Sequence, residues 1–262
     1  MDPDTSCGAA NIVSPIRQIR YDVVGSTNAE ALAHARAGES GPLWITARAQ
    51  TAGRGRRGRA WTSPAGNLYA TLLLADPGPA AVAPQLSFVA ALAVHDAVLA
   101  AAGQHALSLM LKWPNDVLCN GAKLAGILIE GEGRPLALAI GIGINCRQHP
   151  SDTTYPATDL REAGVEVSPE QLFDLLAPAM QRRLAQWDRG EAFASVRADW
   201  LARAHAPGTE LSLRLGERVS TGTFETLDEA GRLILRRAGG DTEAIMAGDV
   251  FPIGQPVPAT VR

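Results

Sequence analysis

Residues 50 to 64 read Gln50-Thr51-Ala52-Gly53-Arg54-Gly55-Arg56-Arg57-Gly58-Arg59-Ala60-Trp61-Thr62-Ser63-Pro64, a run in which glycines and arginines interleave between two apolar segments. Glycine lacks a Cβ and tolerates positive φ, so such a segment can turn backbone N–H groups inward on an anion while each guanidinium adds a planar fork of donors. Phosphate or carboxylate is the natural guest. A solvated basic turn is the other reading of the same stretch.

A second set of chemistry-bearing residues lies downstream. Lys112-Trp113-Pro114-Asn115-Asp116 leads to Asn120-Gly121, a type I′ hairpin signal, and then to Ala122-Lys123-Leu124-Ala125-Gly126-Ile127-Leu128-Ile129-Glu130. The hairpin brings Asp116 beside Lys123. An ammonium among apolar neighbours is costly unless it meets an anion, so Lys123 is either an anion-binding charge or the ion-pair partner of Asp116. Gly126, and the glycines of Gly141-Ile142-Gly143-Ile144-Asn145, waste packing in apolar strands and predict a ligand or another backbone lying against them, with Asn145 at the rim. Ser26, Thr27 and Asn28 precede a helical run; they cap that helix, or present its N-terminus to an anion or amide. His95 has no second His or Cys at metal spacing and reads as a core or surface residue.

These residues need elements to hold them. The patterning predicts strands over 19–24, 43–49 and 67–75, so that the basic loop is gripped at both ends by a sheet, and a helix over 29–37 closed by Gly38. A helix from Pro84 to Ala102, stopped by Gly103, is apolar on nearly every face and is expected to be buried. One strand is expected over 109–118, its hairpin partner over 122–130, a turn at 131–133 and a glycine-containing strand over 136–146. Residues 155–164 look irregular, Ser168-Pro169-Glu170-Gln171 is a capping-box start for a helix to Trp187, and another helix follows over 191–203. From Pro207 the pattern alternates in short runs separated by Gly216, Asp228 to Gly231 and Gly239-Gly240, which reads as a small all-β barrel.

Composition narrows the function classes. A chain of 262 residues with 46% apolar content and 5 tryptophans can build one large domain and one small one. Its net charge of -3 makes the arginine cluster a local feature, which argues against a general nucleic-acid binder. Cys7, Cys119 and Cys146 form no C-x-x-C pair and no signal peptide is evident, so a reducing cytoplasm is expected. Pro84, Gln85, His95 and Asp96 punctuate the best membrane-span candidate, so a soluble protein is expected. G-x-x-x-x-G-K-[ST], H-E-x-x-H and G-x-S-x-G are absent, and Gly53, Gly55 and Gly58 spell G-x-G-x-x-G without the strand–helix context of a dinucleotide fold. A positive loop, a lysine paired with a carboxylate, a glycine-lined apolar strand and Trp61 together suit a small organic acid beside a nucleotide phosphate. Activation of a carboxylate by ATP fits that set.

Ser26-Thr27-Asn28, Gly53 to Arg59 with Trp61, Lys112 to Asp116, Lys123 to Leu128 and Gly141 to Asn145 follow in order the motifs of the biotin protein ligases, and the chain resembles that family from about residue 20 to residue 254. It looks like the short bacterial type that lacks an N-terminal winged-helix domain. The resemblance implies an α/β (α+β) class II synthetase-like catalytic domain over 16–206, with a mixed sheet and flanking helices, and the small and turn-forming residues of 1–15 read as a loose leader before it. A C-terminal SH3-like β-barrel over 207–256 would follow. It implies formation of biotinyl-5′-adenylate and pyrophosphate from biotin and Mg-ATP, then transfer of biotin to a lysine of a biotin carboxyl carrier protein.

Carried over position by position, Ser26, Thr27, Asn28, Gln50, Gly53, Arg54, Arg56, Lys123, Gly126 and Gly143 resemble biotin contacts. Arg56, Arg57, Arg59, Trp61, Asn115, Lys123 and Asn145 resemble the nucleotide site, while Lys123, Arg56 and Asp116 would carry the catalysis. Mg2+ would arrive on the ATP phosphates, with no ligand set assigned. The expected setting is cytoplasmic, with carrier proteins as partners, no DNA and no membrane, and a homodimer left open. Lipoate-type ligases share the fold, but the arginine loop and the Lys112 to Asp116 run point to biotin. A regulator binding nucleic acid through the basic loop is the competitor from another class.

Overall fold

The computed structural model describes residues 15–253 except 152, 154, 216 and 217, so all but the last residue of the expected leader, and the end of the expected barrel, lie outside the described residues. The chain builds a mixed sheet from β1 (Arg17–Val24), β2 (Leu43–Gln50), β3 (Leu68–Ala75), β4 (Leu109–Lys112), β5 (Asp116–Cys119), β6 (Ala122–Glu132) and β7 (Ala137–Ile144). Their order is β1-β2-β3-β7-β6-β5-β4. β1 and β2 are parallel because α1 (Thr27–Arg36) crosses between them, while the other neighbours are antiparallel.

The two faces of this sheet are covered unequally. On one, Ala31 and Leu32 of α1 pack on Leu43, Ile45, Leu73, Ala137 and Ala139. The other carries α2 (Leu86–Ala102), α3 (Pro169–Trp187) and α4 (Phe193–Leu201), whose apolar residues join the main core. α2 is apolar all round, as expected, because the sheet lies on one side of it and α3 and α4 on the other. With the turn before it, this segment is long and apolar enough to cross a membrane, yet most of it is buried in the core. A single short helix thus leaves part of its face of the sheet open, and the cleft described below lies there.

Several local expectations hold and others need correction. Ser168 and Gln171 form the reciprocal capping box at the start of α3. Asn120 (φ 52) and Gly121 (φ 80) take the left-handed conformations that a type I′ turn requires, and join β5 to β6. The helix expected from Pro84 instead opens with a 3-10 turn over Ala80–Gln85, and α2 begins at Leu86. The single strand expected over 109–118 is two strands, β4 and β5, paired antiparallel with Lys112 opposite Asp116. Pro114 has no N–H for a ladder, so the chain reverses at Trp113-Pro114-Asn115. β6 runs through the turn expected at 131–133, because Gly131 and Glu132 still pair with Leu138 and Ala137.

A second, antiparallel sheet consists of β8 (Glu210–Leu215), β9 (Arg218–Leu227), β10 (Leu233–Arg236), β11 (Thr242–Ile245) and β12 (Asp249–Pro252), in the order β11-β10-β9-β8-β12. It is the sheet that an SH3-like fold calls for, with a fifth strand that the alternation did not reveal. Its apolar residues Leu211, Leu213, Phe224 and Val250 belong to the main core, and Trp113 donates its indole N–H to Gly231 O at 3.1 Å. The second sheet is thereby fastened to the β4–β5 turn, and β12 is brought to the edge of the cleft.

Candidate active site

Side chains alternate along a strand, so Gly141 and Gly143 of β7 share the face on which Ala139 packs under α1. Across the ladder Gly126 pairs with Gly143 and Leu128 with Gly141. What lies on these glycines is part of the chain itself. A Cβ at Gly141 would stand 2.3 Å from Asn28 Oδ1, one at Gly143 would stand 2.6 Å from Trp61 Nε1, and one at Gly126 would stand 3.2 Å from the Trp61 ring. Gly126 and Gly143 form a flat shelf under the Trp61 indole.

The shelf is the floor of a cleft of about 950 Å³, and every site residue expected from the sequence lines it except Gly53. Gly53 instead sits behind the wall, where a Cβ would come within 2.4 Å of both Ser63 Oγ and Trp61 O. Its contribution is to close the basic loop, with its carbonyl accepting the Trp61 N–H at 2.9 Å. That loop is a narrow hairpin bridged at Arg54 and Ala60. Its tip is a helical turn over Arg56–Gly58 in which Arg57 takes φ 58.

The arginines diverge from the hairpin to different acids. Arg54 donates to Glu130 Oε2 at 3.0 Å, and Arg59 to Asp249 Oδ1 at 3.0 Å. Arg57 lies 3.9 Å and Arg56 3.8 Å from the same Asp249 carboxylate. Arg56 also donates to Asn115 Oδ1 at 3.2 Å and to Gly248 O at 3.3 Å. Burial lowers the Arg56 guanidinium pKa from its ordinary value, against the opposing pull of Asp249 and Asp116. Asn115 is fixed in turn by donating to Ile127 O at 2.7 Å.

At the far end of the cleft Asp116 holds two ammoniums, Lys123 Nζ at 2.6 Å and Lys112 Nζ at 3.0 Å. Burial alone would raise this carboxyl, but Lys123 and then Lys112 hold it well below the usual carboxylate range. Lys123 lies 5.3 Å from the centre of the Trp61 ring. Lys112 is the more buried lysine, set 4.8 Å over Tyr155 and 5.2 Å over Phe251. Burial, with Asp116 nearby, pushes the Tyr155 phenol up to about 12. Lys123 and Asp116 do form an ion pair, and a second lysine, Lys112, shares that carboxylate.

The third wall is a hydrogen-bonded frame. Ser26 occupies the N-cap position of α1 but makes no side-chain capping bond, so the capping reading of this residue fails. Thr27 N donates to Gln50 Oε1 at 2.8 Å, Gln50 Nε2 donates to Ser63 Oγ at 2.9 Å, and Ser63 Oγ donates to Trp61 O at 2.8 Å. Thr71 Oγ1 donates to Asn28 Oδ1 at 2.7 Å and, having one proton, accepts from Thr27 Oγ1 at 2.8 Å. Asn28 spends both amide protons inside the protein, on Leu128 O at 3.2 Å and Glu130 Oε2 at 2.8 Å. It reads as a support for the wall more than as a ligand donor. Asn145 is buried and donates to Thr158 O at 3.0 Å.

Thr71, Lys112, Glu130, Tyr155, Asp249 and Phe251 join the site without having been singled out. Glu130 carried one signal, a charge at the end of an apolar strand on the same alternation as Gly126 and Leu128. Asp249 carried none, since it reaches the arginines only through the second sheet. Among the described residues no group of three His, Cys, Asp or Glu could hold a metal ion. The acid deepest in the cleft, Asp116, is already paired with two lysines, so the residues here do not fit a resident Mg2+.

Comparison with known proteins adds to this geometry. The biotin/lipoate A/B protein ligase family matches residues 22–146, and the biotin protein ligase C terminal domain matches residues 208–251. The biotin–[acetyl-CoA-carboxylase] ligase of Paracoccus denitrificans is 49% identical over 86% of this chain and 96% of its own length. The ligase of the same name from Mycobacterium tuberculosis is 36% identical over 88% of each chain. The solved structure of biotin protein ligase from Aquifex aeolicus in complex with biotin and ATP superposes with a TM-score of 0.76, at 28% identity, over 90% of this chain and 97% of that one.

Proposed function

Because the chain belongs to the biotin protein ligase family, we propose how its own residues carry out that family's reaction. It activates biotin with ATP as biotinyl-5′-AMP and transfers the biotinyl group to a carrier-protein lysine. The biotin carboxyl carrier protein of acetyl-CoA carboxylase is the partner this identity implies. The carrying observation is one cleft that joins a glycine shelf, a lysine pair on a single carboxylate and an arginine hairpin.

Biotin's bicyclic ring system takes the shelf over Gly126 and Gly143, displacing the Trp61 indole that covers it, and lies against the Ser26–Thr27–Gln50 wall. Its carboxylate then points along the cleft to Lys123, with the nucleotide phosphates under Arg54, Arg56, Arg57 and Arg59. A carboxylate oxygen attacks the α-phosphorus and pyrophosphate leaves; later a lysine amine attacks the acyl carbon and AMP leaves. The first approach brings two negative groups together, and the second, by a neutral amine, builds negative charge on the acyl oxygen and the departing AMP, so the chain's task is neutralisation and positioning. Lys123 meets the charge that grows on the α-phosphate and the attacking carboxylate. Asp116 stays ionised between its lysines and steadies Lys123 rather than moving protons. Cys146 offers no covalent route, because burial pushes its thiol up to about 12.

The test is pyrophosphate release that depends on added biotin, followed by mass analysis of a carrier domain for one biotinyl group on lysine. Release with lipoate in place of biotin, and none with biotin, would overturn the substrate assignment.

A further inference from the structure

We propose that Glu130 is a positioning residue that ties the basic hairpin to the wall of the cleft. Its Oε2 accepts from Asn28 Nδ2 at 2.8 Å and from Arg54 at 3.0 Å. Behind it Asn28 is immobilised, since its other amide proton goes to Leu128 O and its Oδ1 accepts from Thr71. From Thr71 the hydrogen bonds continue through Thr27, Gln50 and Ser63 to Trp61 O. The chain of bonds thus leaves the hairpin at Arg54 and returns to it at Trp61, on the other side of the Arg54–Ala60 bridge. In that circuit the Arg54–Glu130 contact joins two side chains with side-chain exposures of 44% and 30%, whereas Asn28, Thr27 and Thr71 are buried. It is the contact that opens most readily, and Glu130 decides whether the first arginine of the hairpin stays over the cleft.

The chemistry at this position calls for a carboxylate. A carboxamide at residue 130 keeps an oxygen where Oε2 accepts from both Asn28 and Arg54, but it carries no charge, so the Arg54 contact falls from an ion pair to a neutral-acceptor hydrogen bond. Glu130→Gln therefore weakens the hook through its charge while leaving the frame its hydrogen bond. This role deepens the proposed function, since Arg54 is placed there among the ligand-holding residues.

The experiment reads the hairpin with and without reference to biotin. In the ligand-free chain, trypsin cleavage after Arg54 should be faster in Glu130→Gln than in the parent, with Tm unchanged. In biotin-dependent pyrophosphate release, KM for biotin should rise about three- to fivefold, the scale of a partly exposed charge pair, with kcat within about twofold. Combining Glu130→Gln with Arg54→Ala should add nothing to the Arg54→Ala effect, because one contact is removed twice. Multiplying effects, or a lowered Tm with unchanged cleavage, would overturn the proposal and make Glu130 a support for Asn28 alone. If Glu130→Gln fails to fold, salt replaces it: 0.5 M NaCl should speed parent cleavage at Arg54, and an unchanged rate would overturn the proposal. A parent that releases no pyrophosphate with biotin would sink the substrate reading, while the trypsin comparison would still decide the role of Glu130.

Discussion

Replacing Lys123 with alanine should cripple adenylation while sparing the fold. Lys123 Nζ is 2.6 Å from Asp116, and Lys112 Nζ holds the other oxygen of that carboxylate at 3.0 Å. Stripping a buried ion of its only partner costs about 3–5 kcal/mol. Here a second ammonium remains, so the stability lost should be closer to one charge-assisted hydrogen bond, about 1.5–3 kcal/mol. The catalytic loss is of another kind. A fixed positive donor aimed at charge that appears only in the transition state is worth on the order of 3–4 kcal/mol, or two to three decades in rate. Single-turnover formation of biotinyl-5′-AMP in Lys123→Ala and Lys123→Gln should therefore slow about 100- to 1000-fold, with the biotin Kd from calorimetry moving less than about tenfold. Near-normal turnover in a folded variant would reduce Lys123 to a structural partner of Asp116 and remove the electrostatic argument.

Arg56→Gly should preserve both flanking strands yet loosen retention of the mixed anhydride by about 1.5–3 kcal/mol, the worth of charge-assisted hydrogen bonds in a sheltered site. The released adenylate should then biotinylate bystander albumin that the parent ignores, measured by mass spectrometry; equal, near-zero labelling with adenylation intact would remove Arg56 from that role. Gly143→Ala places a Cβ 2.6 Å from Trp61 Nε1, so it should dislodge the indole, alter intrinsic fluorescence and weaken biotin binding by about tenfold or more, as overpacking costs about 1–3 kcal/mol. Unchanged fluorescence and affinity would mean that the shelf is not where Trp61 and biotin compete.

Asp96 gives the pH dependence: burial alone would raise its carboxyl, but the neighbouring His95 and the two-pronged Arg183 bring it down to about 2. The unfolded chain protonates Asp96 at about 3.9, so its contribution of about 2 kcal/mol is complete above that pH and is lost as pH falls toward 2. Denaturant unfolding of Asp96→Asn should show a deficit at pH 7 that closes by pH 2; a deficit constant with pH would contradict the ion-pair origin.

Much of this was legible because short-range chemistry wrote it. Asn120-Gly121 and the Ser168–Gln171 box are local signals with one structural solution each, and the β5–β6 turn then forces Asp116 onto Lys123. The glycines of β7 announced a close neighbour, but its identity depends on where a distant hairpin folds, and Trp61 and Asn28 supply it. Lys112 stays hidden while Trp113-Pro114-Asn115 reads as the continuation of a strand; once the chain reverses there, Lys112 and Asp116 become cross-strand partners. Asp249 could not be found at all from its neighbours in sequence. Its importance arises from the docking of the second sheet at Trp113, a contact spanning 118 residues of chain.

That long-range contact bears on how the cleft is kept ready. Among the described residues six cations, Arg54, Arg56, Arg57, Arg59, Lys112 and Lys123, meet three acids, Glu130, Asp249 and Asp116, in a chain whose net charge is -3. The local surplus is opposite in sign to the whole molecule and draws anions to this mouth. The acids differ in what they hold. Asp116 is buried between its lysines and keeps them, whereas Asp249 faces arginines at 3.0–3.9 Å whose side chains range from 19% to 59% exposed. Such contacts contribute little each, roughly 0–1 kcal/mol when exposed, and are readily exchanged for phosphate oxygens. The second sheet thus keeps the hairpin gathered over the cleft, sparing part of the entropy of ordering a glycine-rich loop, without holding its arginines so firmly that the nucleotide cannot take them.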